Sequence, residues 1–335
     1  MSSNLGIFIN STDSELKLAI NLNNINKLKS NFHSIVIIDI ENEYSLKLKE
    51  LVDEKIVYKF ILNNKYPNSK FEDFNSEKIK YAFENLEYIN YNNDFYITFI
   101  NDNYIYADSL SDYFNYVKDH NLEFYSMTDS TEERYHYQLY LFSLKSTSVE
   151  KFRDFIKIYN PNIHFDIIKI FNNKIAYLKV AYIDINYENN IFYNTNILYE
   201  TLVKKKLLSI ININKINNIV KNFKNTIFNI IPTNFDIDIY RSHIDLSDLN
   251  DDKLYNHFLS YGQYEPRIYS NNNFILPVYI RDLLKDCNLL HYFDVPDDFN
   301  LENYSARYPD LKGKNSKELL FHWVLYGSRE SRIYN

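Results

Sequence analysis

The sequence predicts an α/β protein, with a mostly parallel sheet covered by helices and followed by a small all-α domain. Three observations predict it. From Leu5 to His120, short apolar runs of strand length alternate with longer polar segments of helical character, the pattern of strands joined by crossover helices. Those runs are apolar throughout, as strands buried on both faces are. Finally, the last third of the chain repeats itself at a nearly fixed offset, which points to a repeated helical unit.

Composition sets the limits. The 335 residues are 45% hydrophobic and 17% aromatic, enough for one large domain and a smaller one. There are only 4 glycines and 7 prolines, while Asn, Ile, Lys and Tyr are abundant, as in an A+T-rich coding sequence. Asn must then fill many turn positions that Gly fills elsewhere. The net charge of −7 argues against a nucleic-acid surface, and Lys204-Lys205-Lys206 reads as a solvated helix face. A single cysteine, Cys287, excludes an intrachain disulfide and a thiolate zinc cluster. No apolar run reaches membrane-spanning length, and Met1 to Asn10 lacks the basic start and apolar core of a signal peptide. A cytoplasmic protein without a transmembrane segment is the expectation.

Leu5-Gly-Ile-Phe-Ile-Asn10 reads as a first strand, and Ser11 to Glu15 as a capping loop that opens a helix to about Lys29. Ser34 to Asp39 is a second strand, Tyr44 to Asp53 a helix, and Lys55 to Leu62 a third strand. In such sheets ligands bind outside the carboxyl ends of the strands, which places Asn10 to Asp13, Asp39 and Asn63 to Lys70 near one rim. After a helix from about Ser76 to Glu87, the strand Asp94 to Asn103 delivers Asn101, Asp102 and Asn103 to that rim. A carboxylate between two amides can hold a divalent cation, Mn²⁺ or Mg²⁺, that bridges phosphate oxygens. Taken alone, Asp and Asn after a strand are usually turn formers. Another helix, about Leu110 to His120, precedes a crowded polar stretch at the lip of the apolar strand Leu139 to Leu144: Thr128, Asp129, Ser130, Glu132, Glu133, His136 and Gln138.

An amphipathic helix from Ile216 to Ile231 ends before Pro232, where the domain boundary is expected, giving domains 1–231 and 232–335. Two repeats, 235–270 and 299–335, follow. Tyr240, His257, Gly262, Glu265, Arg267 and Tyr269 return as Tyr304, His322, Gly327, Glu330, Arg332 and Tyr334. Each copy reads as a helical hairpin with a Gly-ended cap, held shut by its His and its Glu/Arg pair. Sugar contacts through Trp323, Tyr261 and Tyr326 are the functional alternative.

Asp94 to Asn103, Glu123 to Gln138 and Phe152 to Phe155, with Tyr193 to Lys204 and Leu208 to Ile213 farther on, resemble the rhamnan synthesis protein F family of glycosyltransferases, collinearly from Leu5 to about Ile219. That family has Asn-Asp-Ser after a strand, then a Trp-Gly-x-Thr-Asp-Ser turn and a His-x-Gln-Ser. Here Asn103, Tyr125-Ser126 and Leu139 replace the Ser, the Trp-Gly and the second Ser. The resemblance implies a GT-A-like fold. It also implies transfer of a sugar, rhamnose or another deoxysugar, from a nucleotide-sugar donor to a glycan or glycoprotein acceptor in surface polysaccharide or glycoprotein glycan synthesis.

In such a transfer Asp102 would serve the donor or its metal, with Asn10, Asp13, Asp39, Asn101, Asn103 and Gln138 on the donor side. Asp129 is the first choice for general base and Glu132 the second, while His136 would bind pyrophosphate or assist the leaving group. Asp129 or Ser130 reads equally as a helix N-cap. The repeats resemble small units appended to viral and bacterial glycosyltransferases. With the A+T-rich residue usage they point to a large DNA virus and to the host cytoplasm. The alternative is a catalytically decayed glycan-binding or scaffold protein on the same fold.

Overall fold

The structure is a computed structural model. It describes residues 4–61, 79, 81–82, 95–130, 136–137, 139–158, 169–178, 210–225, 231–232, 235–264, 269–270, 274–276 and 278–335. The chain divides into two compact units, Met1–Ile213 and Asn214–Asn335. The boundary expected at residue 231 lies one helix later than this division.

In the first unit β1 (Asn4–Ile9), β2 (Ser34–Ile40) and β3 (Val57–Ile61) are parallel neighbours, and β4 (Tyr96–Asn101) lies parallel on the other side of β1. Then follow β5 (Tyr104–Tyr106), β6 (Phe124–Ser130), β7 (His136–Tyr137), β8 (Leu141–Lys145), β9 (Lys174–Leu178) and β10 (Ile210–Asn212). β8 runs antiparallel to β4 and β6, whereas β9 is parallel to β6. The path is β3-β2-β1-β4-β8-β6-β7, with β9 also on β6. β5 pairs antiparallel with β10 in a separate ribbon.

The apolar runs are strands because both faces of the sheet are covered. Phe8, Ile37 and Ile100 face one core with α1 (Glu15–Leu28), α2 (Glu43–Leu51) and α3 (Ser111–His120). Ile7, Ile97 and Phe99 face the other with α4 (Val149–Ile158). Burying each such side chain contributes about 1.5–3 kcal/mol. Gly6 has a specific cause: a Cβ there would lie 2.7 Å from the Phe32 ring. Asparagine does take positions of positive φ, at Asn121 (47°) and Asn288 (57°).

Two expectations change. The strand expected from Asp94 to Asn103 stops at Asn101, because the Asn101 side chain accepts the Asn103 N–H (2.7 Å) and turns the chain into β5. Thr128-Asp129-Ser130, which resembles the family's Thr-Asp-Ser turn and also reads as a helix cap, instead continues β6, with Asp129 opposite Tyr137 and Ser130 opposite His136 in an antiparallel hairpin. Asp129 is therefore a strand residue and not a helix cap.

Leading into the second unit, α5 (Ile213–Asn225) is followed by α6 (Ile237–Arg241), α7 (Asp251–Ser260), α8 (Val278–Asp286), α9 (Leu301–Arg307) and α10 (Ser316–His322). The same contacts occur twice. Tyr240 Oη lies 2.7 Å from His257 Nδ1, and Tyr304 Oη lies 2.9 Å from His322 Nδ1. Phe235 stacks on Tyr269 as Phe299 stacks on Tyr334. Asn250 and Asn315 cap α7 and α10. Arg332 pairs with Glu330 and Asp310 in the second copy, while Glu265 and Arg267 lie outside the described residues. Trp323 is buried in the second copy's core, and Tyr261 and Tyr326 are exposed. Among the described residues no helix is long and apolar enough to cross a membrane.

Candidate functional site

Strand order reverses at β1. β2 and β3 build outward on one side, and β4 returns to the other. At such a switch point the loops beyond adjacent strand ends part and leave a crevice. Here the two lips are Asn10 to Asp13, after β1, and Asp102-Asn103, after β4.

The lips are joined directly. The Ser11 N–H donates to Asp102 Oδ2 at 2.6 Å. Lys17, in the first turn of α1, donates from Nζ to the Asp102 carbonyl (2.9 Å) and to Asn103 Oδ1 (3.2 Å), and its ammonium lies 3.5 Å from Asp102 Oδ2. Ser14 caps the helix by accepting the Lys17 N–H. Asp102 is 5% exposed and Lys17 19%, so the pair sits where solvent screening is reduced. Among the described residues no donor is recorded to Asp102 Oδ1. Asp13 is exposed at the crest of the first lip, where its carboxylate accepts from the Ser14 hydroxyl.

Asp39 holds the same lip from beneath. Its carboxylate accepts from the Thr12 N–H (2.9 Å), the Thr12 hydroxyl, the Tyr58 hydroxyl (2.7 Å) and its neighbour's Ile40 N–H (2.8 Å), and it is 0% exposed. Asn21 steadies the Thr12 hydroxyl in turn (2.8 Å). Both carboxylate oxygens are thus turned inward, and Asp39 shapes the rim without facing the crevice. Burial pushes its carboxyl above the ordinary value, against the lowering effect of these hydrogen bonds. Tyr58 is pushed up as well, by burial first and by the Asp39 charge second.

Strand direction places the polar hairpin on the same edge of the sheet. β4 and β6 both run antiparallel to β8, so their carboxyl ends coincide. Asp129 lies three residues beyond Ser126, which is level with Phe142. Two strand spacings, roughly 10 Å, separate the β4 and β6 backbones. His136 pairs across the hairpin with Ser130. Glu132 and Gln138 lie outside the described residues, as do Glu133, Arg134, Tyr135 and the segment Asn63 to Lys70. Tyr137 and Tyr140 are core residues at 6% and 4% exposure. Arg153 pairs with Glu150.

The structure therefore brings Asn10, Asp13, Asp39, Asn101, Asp102 and Asn103 to one rim, as the strand-end rule predicts. Sequence reading placed Ser11 and Thr12 at this rim without giving them a part, and missed Tyr58 and above all Lys17. One signal was available: a lysine in the first turn of the helix that follows the first strand, the usual place for anion recognition in α/β folds.

The donor set fits a divalent cation poorly. Among the described residues no three His, Cys, Asp or Glu side chains come together. Asp102, the buried carboxylate between the two lips, already has an ammonium against it. Elsewhere, in the second unit, a cavity of about 500 Å³ is lined by residues that include Val220, Phe293, Phe321, Val324, Lys221 and Arg329.

No family model matches this chain, and no curated protein does. Similar solved structures include a 4-diphosphocytidyl-2C-methyl-D-erythritol synthase from Anaerococcus prevotii, at 10% identity over 55% of this chain and 90% of that one, with a TM-score of 0.39. A protein from Desulfovibrio desulfuricans described as a nucleotide-diphospho-sugar transferase matches at 11% identity over 53% and 80%, TM-score 0.36. The galactosyltransferase LgtC matches at 9% identity over 51% and 72%, TM-score 0.35.

Proposed function

We propose that this protein is a nucleotide-sugar-dependent glycosyltransferase whose donor diphosphate lies in the crevice between the Asn10–Asp13 lip and the Asp102-Asn103 lip. One observation carries the reading: at the switch point the two strand-end loops are tied together by the Ser11 N–H to Asp102 bond, with Lys17 fixed beside it. A diphosphate needs a positive charge and oriented donors at fixed positions. In this reading Lys17 supplies the charge and the amino end of α1 the donors.

In this reading Asn10, Asp13, Asn101 and Asn103 orient the donor, and Gln138 contacts sugar or phosphate. Asp129, with Glu132 next to consider, removes the acceptor hydroxyl proton, and His136 steadies the leaving phosphate. The sugar is rhamnose or another deoxysugar and the acceptor a glycan, on the strength of the motif resemblance. Asp39 acts only through Thr12, as a positioning residue.

The test is calorimetric titration with UDP, dTDP and GDP, followed by amide-exchange mapping of any nucleotide that binds. Protection at residues 10–13 and 101–103 is expected. Absence of binding by all three, or protection confined to other parts of the chain, overturns the reading.

A second reading, a glycan-binding protein without turnover, is favoured by the inward use of the rim's carboxylates: Asp39 is fully enclosed and Asp102 is already paired. It predicts diphosphate or glycan binding with no sugar released from any nucleotide sugar.

A further inference from the structure

We propose that the Lys17 ammonium is a built-in replacement for a divalent cation at the Asp102-Asn103 lip, so that this lip recruits no metal while Lys17 is present. Three oxygens converge on Nζ: the Asp102 carbonyl at 2.9 Å, Asn103 Oδ1 at 3.2 Å and Asp102 Oδ2 at 3.5 Å. A carboxylate, a backbone carbonyl and a side-chain amide oxygen are the hard donors that Ca²⁺, Mn²⁺ or Mg²⁺ would take. Here an ammonium, with three N–H donors and no metal, fills their common focus.

Charge decides the competition. Asp102 and Lys17 cancel, and the amino end of α1 adds about half a positive charge, so the lip offers a divalent cation no net attraction. Asp13 and Glu15 stand on the same loop and first turn but are exposed to solvent, where their field is screened. Displacing the ammonium would also strand a lysine whose side chain is four-fifths buried. An anionic ligand meets the opposite situation: a fixed cation, already desolvated on one side and held at the crevice floor. The consequence for catalysis, donor binding that needs no metal, rests on the functional reading above. The occupancy of the three oxygens does not.

The experiment measures Mn²⁺ binding by electron paramagnetic resonance in four proteins: wild type, Asp102→Asn, Lys17→Met and the Lys17→Met/Asp102→Asn double variant. Wild type and Asp102→Asn are expected to bind the same amount of Mn²⁺. Lys17→Met, which keeps the apolar stem, should gain one site that the double variant loses. Wild-type Mn²⁺ binding that disappears in Asp102→Asn would overturn the proposal, and that comparison does not depend on the Lys17 variants folding. A folded Lys17→Met protein that gains no site would overturn it too.

In parallel, the tightest of UDP, dTDP and GDP is titrated in EDTA and in Mn²⁺. Wild-type affinity should agree within about twofold, and Lys17→Met should bind at least about tenfold more weakly in EDTA, with recovery in Mn²⁺. Wild-type affinity that collapses in EDTA refutes the inference. A chain that binds no nucleotide refutes the donor reading alone, and the manganese comparison still decides the role of Lys17.

Discussion

The Tyr58 hydroxyl lies 2.7 Å from the Asp39 carboxylate, in a part of β2 and β3 where Asp39 has no exposure. Between them they fix the first lip of the crevice, because Asp39 also receives both the N–H and the hydroxyl of Thr12. Burial holds the Asp39 carboxyl above its ordinary value of 3.8, so the folded chain binds this proton more tightly than the unfolded one. Stability from this group is therefore complete below pH 3.8 and is lost as the pH rises through the raised folded value. The stability difference between wild type and Asp39→Asn should shrink over that window, by at most about 1.4 kcal/mol per pH unit. Tyr58→Phe removes a donor that opposes the shift. It should extend the window upward and cost about 1.5–3 kcal/mol at neutral pH. Urea unfolding across the acid range checks both, and a difference that grows with pH contradicts the assignment.

Asp102 has two separable jobs, one as acceptor and one as charge. Asp102→Ala leaves the Ser11 N–H and the Lys17 ammonium without their shared oxygen. It should lower stability by about 1–3 kcal/mol, the cost of stranding buried donors. Asp102→Asn retains an acceptor for Ser11 and should lose less. In both variants Lys17 is no longer neutralised, so the pull on a nucleoside diphosphate should rise or hold while its orientation degrades. Thermal unfolding paired with calorimetry separates the two jobs. If both variants unfold with wild-type midpoints, the bond across the lips contributes nothing to the fold.

How much of this was legible beforehand follows from what each signal depends on. Burial on both sheet faces is written locally, as in Leu5 to Ile9 and Ser34 to Ile40, so the strands and their shared rim could be read directly. The inward turn of Asp39 could not, because Tyr58 and Thr12 reach it from 19 and 27 residues away. Lys17 looks like any helix-surface lysine until β4 is laid beside β1 and brings Asp102 to it. Asp129 was misread as a turn because Thr-Asp-Ser favours caps and turns locally. Pairing with Tyr137 overrides that preference. The twofold pattern of the C-terminal unit was legible as a sequence offset, and its physical basis, a tyrosine bonded to a histidine under a glycine, was not.

That basis makes a further prediction. A Cβ on Gly327 would fall 2.1 Å from Tyr304 Oη, and one on Gly262 would fall 1.7 Å from Tyr240 Oη. Gly327→Ala should then destabilise by about 1–3 kcal/mol through overpacking. Tyr304→Phe removes the hydroxyl and leaves Trp323 Cε3 and Tyr304 Cζ as the nearest atoms, at 3.1 and 3.2 Å. In the Tyr304→Phe background the same alanine should cost markedly less. A double-mutant cycle by chemical denaturation measures the coupling, and strictly additive losses would show that the hydroxyl is not the obstacle.

The link between the two copies is a buried charge cluster. Arg281, on α8, donates from Nη1 to Asp294 Oδ2 at 2.7 Å, with side-chain exposures of 6% and 0%. Asp294 also accepts the N–H groups of Ile275, Leu276 and Val295. The other Arg281 nitrogen reaches Asp297, which Lys285 meets as well, at 2.8 Å. The two acids should differ sharply. Asp297 is exposed, so Asp297→Ala should change stability by no more than about 1 kcal/mol and lose that effect in high salt. Asp294→Ala takes the buried carboxylate from Arg281, leaving it only the exposed Asp297, and strands three backbone donors at once; it should cost about 3–5 kcal/mol, with little dependence on salt. Replacing Arg281 by Met as well should recover part of that loss, because a buried charge that has lost its buried partner disappears with it. Guanidinium chloride cannot test this, since it is itself a salt. Urea denaturation at low and high sodium chloride can, and equal losses for the two aspartates would show that the cluster is not buried in solution.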